Sequence, residues 1–396
     1  MNYLFEKNKL YAYLGEDLVK SLKKYEAIIA GGTITSLFNN KEINDIDLYF
    51  RSDEQACGFL EDHWDAAWVS THTKKATLFV ENGLKIQMIH FKFFDRPEDI
   101  FNTFDYTVCM GAFDFKTEEF ILHDDFLKHN SQRILKFNSN TAFPIVSLLR
   151  VQKYTDRGYT ISKPEFIRVV LTCMNLNINT FDELKEQLGG MYGVNYDKLF
   201  EGENDEDFDL TSVIEKIENI TLDEDYFKEP VSLEFNNIDE ILQDIVKSPV
   251  KTLVINNEKY RIVYDGHLKN SYIDPINEIK LDAAEFFSSA RFYKFVRNEN
   301  GKLTSFWDKH FEYVVGEIAK AKGDLTAWSG EGKLYFNEKS AIKSSTYYGE
   351  KDAVLIEVSI KKDDFIDAKD GRVLAKACHV IREVPTTEWE SYISSK

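Results

Sequence analysis

The sequence predicts an α+β fold shared among more than one domain. Three observations carry that reading. Leu10, Leu14, Leu18 and Leu22 recur every four residues, the mark of an amphipathic helix. Asn82-Gly83 separates two apolar runs, a strong signal for a tight hairpin. From about Arg291 the texture turns to strand patterns such as FYKFV, VLIEVSI and VLAKACHVIREV. At 396 residues the chain is also long for one domain.

In chain order, residues 10–24 read as one helix with its lysines outward. Ala27–Ala30 is a short strand leading into Gly31-Gly32, and Ile34, Leu37 and Phe38 fall at helical spacing. A strand carrying Asp45 and Asp47 follows, then a helix over 52–63 and strands at 66–72, 76–81 and 84–91. Arg96-Pro97-Glu98-Asp99 opens a helix with acids in its first turn, as the helix dipole prefers. Its expected continuation runs from Thr103 to Asp114, with a hairpin-like pair over 112–123. Pro144 starts a helix that Gly158 stops. Residues 163–290 read as a mostly helical middle region, with helices at 164–192, 211–219 and 238–247 and an acidic linker, EGENDEDFD, at 201–209. Residues 291–396 read as a separate α+β domain of unassigned role, with a helix over 308–321 and a short one at Lys339–Ser344.

The net charge of −18 argues against a general nucleic-acid coat, because neutralising phosphates needs lysine and arginine. Most of the excess acid lies after residue 162, so the N-terminal part is the more tolerant of anions. Cys57, Cys109, Cys173 and Cys378 are scattered and form no C-x-x-C, which speaks against structural zinc and a disulfide framework. No apolar run reaches membrane-spanning length, and the N-terminus lacks an apolar signal region. The expectation is a soluble, cytoplasmic protein with no membrane partner.

One stretch stands out chemically, AGGTITSLFNNKEINDIDLYF from Ala30 to Phe50. Alternation along a strand sends Asp45 and Asp47 to one face and Ile46, Leu48 and Phe50 to the core. Two carboxylates on a rigid face beside side-chain-free backbone suit Mg²⁺ and a nucleoside triphosphate. Gly31 and Gly32 let backbone approach phosphate closely, and Ser36 is placed to donate to one. The plainer alternative is a turn followed by a solvated strand end.

GGTITSLFNNKEINDIDL resembles, without a gap, the G-G-x-V-R-D-x-L-L-G-x-x-x-x-D-x-D-L signature of class II tRNA nucleotidyltransferases and their poly(A) polymerase relatives. FDYTVCMGAFD, about sixty residues later, is similar to that family's R-D-F-T-I-N-A-M-A-Y-D motif. LRVQKYTDRGYTI resembles the helix that joins its head to its neck. The resemblance covers about residues 25–162. It implies that residues 1–162 form a nucleotidyltransferase head, with a mixed, mostly antiparallel sheet flanked by helices. It also implies metal-binding carboxylates at Asp45 and Asp47, phosphate-cradling glycines at Gly31 and Gly32, and a ribose contact at Asp105. Basic groups of the connecting helix fall on Arg150 and Lys153.

The implied activity is Mg²⁺-dependent transfer of a nucleoside monophosphate from an NTP to a hydroxyl on an RNA end, a protein or a small molecule. Four departures qualify it. Thr35-Ser36 stand where the family has Arg-Asp, Phe104 replaces an arginine, Cys109 replaces an asparagine, and Gln87 stands where relatives often carry a further carboxylate. A second expectation is therefore a head that binds nucleotide or RNA without turnover, as an inhibitor or adaptor. A third is that the C-terminal domain carries the main activity.

Overall fold

The computed structural model describes residues 3–64, 68–188, 209, 238–263, 266–270, 277–323, 332–369 and 371–394. These form two compact units, 1–246 and 247–396.

In the first unit the four leucines are all buried, as their spacing requires, yet the expected single helix is two. Gly15, at φ +80°, joins α1 (Leu4–Leu14) to α2 (Glu16–Lys24). The fully buried β1 (Ile28–Ala30) leads through Gly31 into α3 (Gly32–Phe38), and β2 (Ile46–Tyr49) follows. A capping box between Ser52 and Gln55 starts α4 (Asp53–His63). Then come β3 (Trp68–His72), β4 (Ala76–Glu81) and β5 (Leu84–Ile89). Asn82 and Gly83 take φ of +50° and +80° between the last two, the left-handed pair a two-residue hairpin needs.

The helix expected from Arg96 to Asp114 ends early. α5 (Pro97–Phe101) gives way to a 3₁₀ turn at Thr107–Cys109, and β6 (Gly111–Asp114) pairs with β7 (Glu119–Leu122). Packing explains the switch, together with the β-branched Thr103, Thr107 and Val108. A Cβ at Gly111 would lie 2.8 Å from Ile34 Cγ2 and 2.9 Å from the Phe126 ring, so β6 closes on α3 and on α6 (Phe126–Gln132) only at a glycine.

The sheet order is β3-β4-β5-β2-β1-β6-β7, antiparallel except for the parallel pairing of β2 with β5. The head is thus nucleotidyltransferase-like: a mixed, mostly antiparallel sheet with α3 packed against β1, β2 and β6. One apolar cluster joins Ile28, Tyr49, Leu78 and Ile89 to Ile100 and Met110. Another seats α7 (Pro144–Asp156), through Val151 and Tyr154, on Tyr106, Val108 and Cys109. That contact fixes where the basic residues of α7 point.

Helices Lys163–Met174, Phe181–Leu188 and Ile238–Ile245 complete the described part of the first unit. The acidic run at 201–208 and the helix expected at 211–219 lie outside the described residues.

The second unit begins earlier than the expected boundary near residue 291. Strands Val250–Ile255, Glu258–Ile262, Leu268–Asn270 and Glu278–Lys280 form a four-stranded sheet in the region expected to be mostly helical. Its Leu253, Ile255 and Tyr260 share one core with Phe287, Phe292, Phe336 and Val358 of the region that follows. Phe287, Phe292 and Tyr293 are all buried, Tyr293 in a neighbouring cluster with Phe295 and Leu355. The helix expected over 308–321 is replaced by strands Glu312–Tyr313 and Ile318–Lys320. Gly316, at φ +86°, and the exposed Val314 and Val315 between them disfavour helix. Lys339–Ser344 is a 3₁₀ helix. Among the described residues no helix is long and apolar enough to cross a membrane.

Candidate functional site

The central strand β2 and the residue before it present the acids as the alternation requires. Ile46 and Leu48 are fully buried, while Asp45 and Asp47 are half-buried. Burial first, and the negative charge of Asp45 second, push the Asp47 carboxyl well above the usual range. Arg150 and Lys153 of α7 pull it the other way, so both cations act on the same carboxylate.

Gly31 brings backbone to this pair. It sits at φ +82°, ψ −131°, a conformation open essentially to glycine. A Cβ there would meet Asp47 Oδ2 at 3.4 Å and the Phe104 ring at 3.5 Å. A Cβ at Gly32 would meet nothing within 4 Å, so the first glycine packs against the carboxylate and the second borders open space. Thr33 Oγ1 donates to the Asp45 carbonyl at 2.9 Å, and Thr35 Oγ1 donates to the Val108 carbonyl at 2.8 Å. These bonds tie α3 to the acid strand and to the 3₁₀ turn. Ser36 lies one turn further on. Its carbonyl accepts from the Lys41 amide, and among the described residues no contact brings its hydroxyl to the carboxylates.

The parallel register sets Gln87 of β5 opposite Asp47, yet its side chain serves the other acid. Nε2 donates to Asp45 Oδ2 at 2.6 Å. Gln87 thus meets the pair as a donor and not as a third anion.

Asp105 and Arg150 form a second layer. Arg150 Nη1 lies 3.0 Å from Asp105 Oδ2, and Nη2 donates to Tyr154 Oη at 2.9 Å. Asp105 is only 3% exposed and its carboxylate accepts no hydrogen bond of normal geometry among the described residues, so the ion pair with Arg150 is its compensation. Cys109 Sγ and Tyr154 Oη are 2.5 Å apart, and burial pushes both groups up. Asp105, expected at a ribose, is instead shut beneath the arginine.

The sequence points to Asp45, Asp47, Gly31, Gly32, Ser36, Asp105, Arg150 and Lys153; the fold brings the acids, Gly31 and the two cations together, with Ser36 apart and Asp105 beneath Arg150. Neither Tyr154 nor Phe104 had a role from sequence alone. The four-residue spacing of Arg150 and Tyr154 on one helix was the available signal for the first.

The donor set bears on a metal. Among the described residues no group of three His, Cys, Asp or Glu side chains is arranged to hold an ion. Two carboxylates alone do not make an all-protein cage. They do match Mg²⁺, which is commonly held by one or two carboxylates plus substrate phosphates. The raised Asp47 fits as well, because an acid crowded by its neighbour gains most from a divalent countercharge.

A family model described as Gabija anti-defense 2 family protein matches residues 4–133. The protein "Gabija anti-defense 2" of Bacillus phage SPbetaL7 is 69% identical over 396 residues, spanning 100% of this chain and 99% of its own. The chain belongs to the Gabija anti-defense 2 family. Among solved structures, this family member is similar in fold to the Thermotoga maritima CCA-adding enzyme complexed with tRNA, at 13% identity and a TM-score of 0.37, over 56% of this chain and 70% of that one. It is also similar to the Bacillus stearothermophilus CCA-adding enzyme in complex with CTP, at 14% identity and a TM-score of 0.31, over 48% and 49%. The chain spans about half the length of the second. Likeness at this level carries no argument about site or substrate.

Proposed function

We propose that this chain counters the Gabija defence for which its family is named, and that its head acts as an Mg²⁺-dependent nucleotidyltransferase. The observation that supports the chemistry most is the convergence on Asp47. Asp45 crowds it, the Gly31 backbone packs on it, and the charges of Arg150 and Lys153 reach it.

Asp45 and Asp47 would hold the metal, which when bound supplies charge neutralisation at the phosphates. Gly31 and Gly32 leave room for backbone beside the triphosphate. Arg150 and Lys153 offset its negative charge, while Asp105 and Tyr154 act as positioning residues through Arg150. An acceptor hydroxyl then attacks the α-phosphorus in line. A new P–O ester bond forms, the bond to the β-phosphate breaks, pyrophosphate leaves and the hydroxyl proton passes to solvent. Such transfer rests on positioning and electrostatics more than on an acid-base residue. The acceptor is an RNA end, a protein or a small molecule.

The second reading is an inhibitor that binds nucleotide or a defence protein without turnover. Gln87 favours it, since an amide stands where a third carboxylate would strengthen metal binding. One pair of assays separates the two. The purified chain is incubated with each α-labelled NTP, Mg²⁺ and host lysate, and phage plaquing is scored on a Gabija-carrying host that expresses the chain. Loss of labelling and of protection in a folded Asp45→Asn/Asp47→Asn variant supports the enzyme. Protection that survives the double change would establish the binding-only reading.

A further inference from the structure

The second unit contains a cavity of about 910 Å³ between the loop from Ser305 to Tyr313 and the strand Leu334–Asn337. Its size falls within the range of roughly 300–1,000 Å³ usual for small-molecule sites. Its walls are flat rings. Phe311 and Tyr313 lie 5.1 Å apart, Phe306 stacks on Tyr347 at 4.6 Å and 8°, and Trp307 stands at the rim 86% exposed. A free-standing tryptophan of that exposure does nothing for the core.

Four cations line the same space: Lys294, Lys322, Lys333 and Arg372. Lys294 Nζ donates to the Tyr335 carbonyl at 2.8 Å and sits 5.7 Å from the Phe336 ring centre, while Lys322 sits 5.8 Å from that of Phe311. Among the described residues none of the four makes an ion pair with a carboxylate. The one acid of the lining, Asp308, uses Oδ1 to accept from the His310 amide at 2.9 Å. In a chain of net charge −18, four cations around one aromatic cavity, with no carboxylate partner among the described residues, call for an anion from outside. Burial alone brings Lys294 down to about 8, as expected of a lysine without a countercharge.

We propose that this cavity binds a nucleoside phosphate unit, its base on the rings around Trp307 and Phe311 and its phosphate among Lys294, Lys333 and Arg372. Aromatic side chains stack bases of any sequence, and neighbouring cations take the backbone phosphate. An acidic peptide would use the cations and leave the rings idle. An apolar ligand would strip water from the cations without replacing it. The unit arrives either as a free mononucleotide or as the end of a single strand.

The test uses the full chain carrying Asp45→Asn/Asp47→Asn in EDTA, so that metal-dependent binding at the head does not contribute. Calorimetric titration with AMP and with a 5′-phosphorylated single-stranded oligodeoxyadenylate should give saturable binding for at least one probe. Binding of AMP identifies the free nucleotide as a sufficient ligand; binding of the strand alone identifies a nucleic-acid end. Adding Trp307→Ala should weaken the bound probe about tenfold, the scale of one lost stacking contact. Adding Arg372→Gln should weaken it at low salt more than at high salt. Trp307 is exposed, so its removal leaves folding intact, which the melting temperature checks. No saturable binding of either probe, or affinity within about twofold in both variants, would overturn the proposal.

Discussion

Arg150 Nη1 lies 3.0 Å from the nearly inaccessible Asp105, and that one contact ties the basic helix to the floor of the site. The guanidinium is about one-third exposed, so it pairs with the buried carboxylate behind it and keeps a solvent-facing side. Replacing Arg150 with methionine strands a buried charge. The expected loss is about 3 kcal/mol, the low end for breaking a buried pair because the arginine is partly solvated. Arg150→Met/Asp105→Asn should recover most of it. A urea-denaturation double-mutant cycle measures the coupling, and additive losses would show that the pair is not a unit.

Gln87 offers a gain-of-charge test. Gln87→Glu removes the amide donated to Asp45 and sets a third anion beside the pair. The metal-free chain should lose about 1–3 kcal/mol, the cost of an unsatisfied or repelled buried group. Added Mg²⁺ should then raise its melting temperature by more than it raises that of the wild type. An equal Mg²⁺ increment in both proteins would argue against an ion shared by Asp45 and Asp47.

At Gly31 conformation and space coincide. Gly31→Ala puts a Cβ into a backbone region that side chains avoid, 3.4 Å from Asp47 Oδ2. The expected cost is about 1–3 kcal/mol, with nucleotide transfer falling further than stability alone explains. Gly32→Ala, where the Cβ meets nothing, should be well tolerated in folding. Thermal melts beside labelling assays distinguish the two.

Lys294 gives a pH dependence. Its folded value is about 8 against an ordinary 10.5, so the unfolded chain takes up this proton first as pH falls. Its charge therefore costs stability in full below about pH 8, and the cost fades as pH rises toward 10.5. Lys294→Met should be the more stable protein at about pH 7, with the gap narrowing by about pH 9. Chemical denaturation of both proteins at the two pH values reads the difference directly.

Much of the head was legible because its signals are local. The leucine spacing, the Asn82-Gly83 hairpin, the capped helix at Asp53 and the acid–apolar alternation around Asp47 each depend on a few neighbours in sequence. Features set by distant contacts were not legible. The segment 103–114 has helical length and apolar content, but Gly111 is pressed between Ile34 and Phe126, and pairing with β1 wins. Val314 and Val315 read as helix interior until Gly316 bends the chain. Nothing near Asp105 in sequence announces Arg150, forty-five positions on. The four-stranded sheet that starts at Val250 was hidden in a stretch whose alternation is short and interrupted, and its shared core with Phe292 and Phe336 assigns it to the second unit.

Strand β2 is hydrogen-bonded along both edges, to β1 on one side and β5 on the other. Asp47 within the strand, and Asp45 immediately before it, are thus mounted on an anvil that the neighbouring strands hold in place. On the proposed function, any preference for one base or acceptor over another has to come from the side chains around it, foremost Arg150 and Lys153 on α7. Relatives that changed their target would then differ on that helix while leaving the central strand alone.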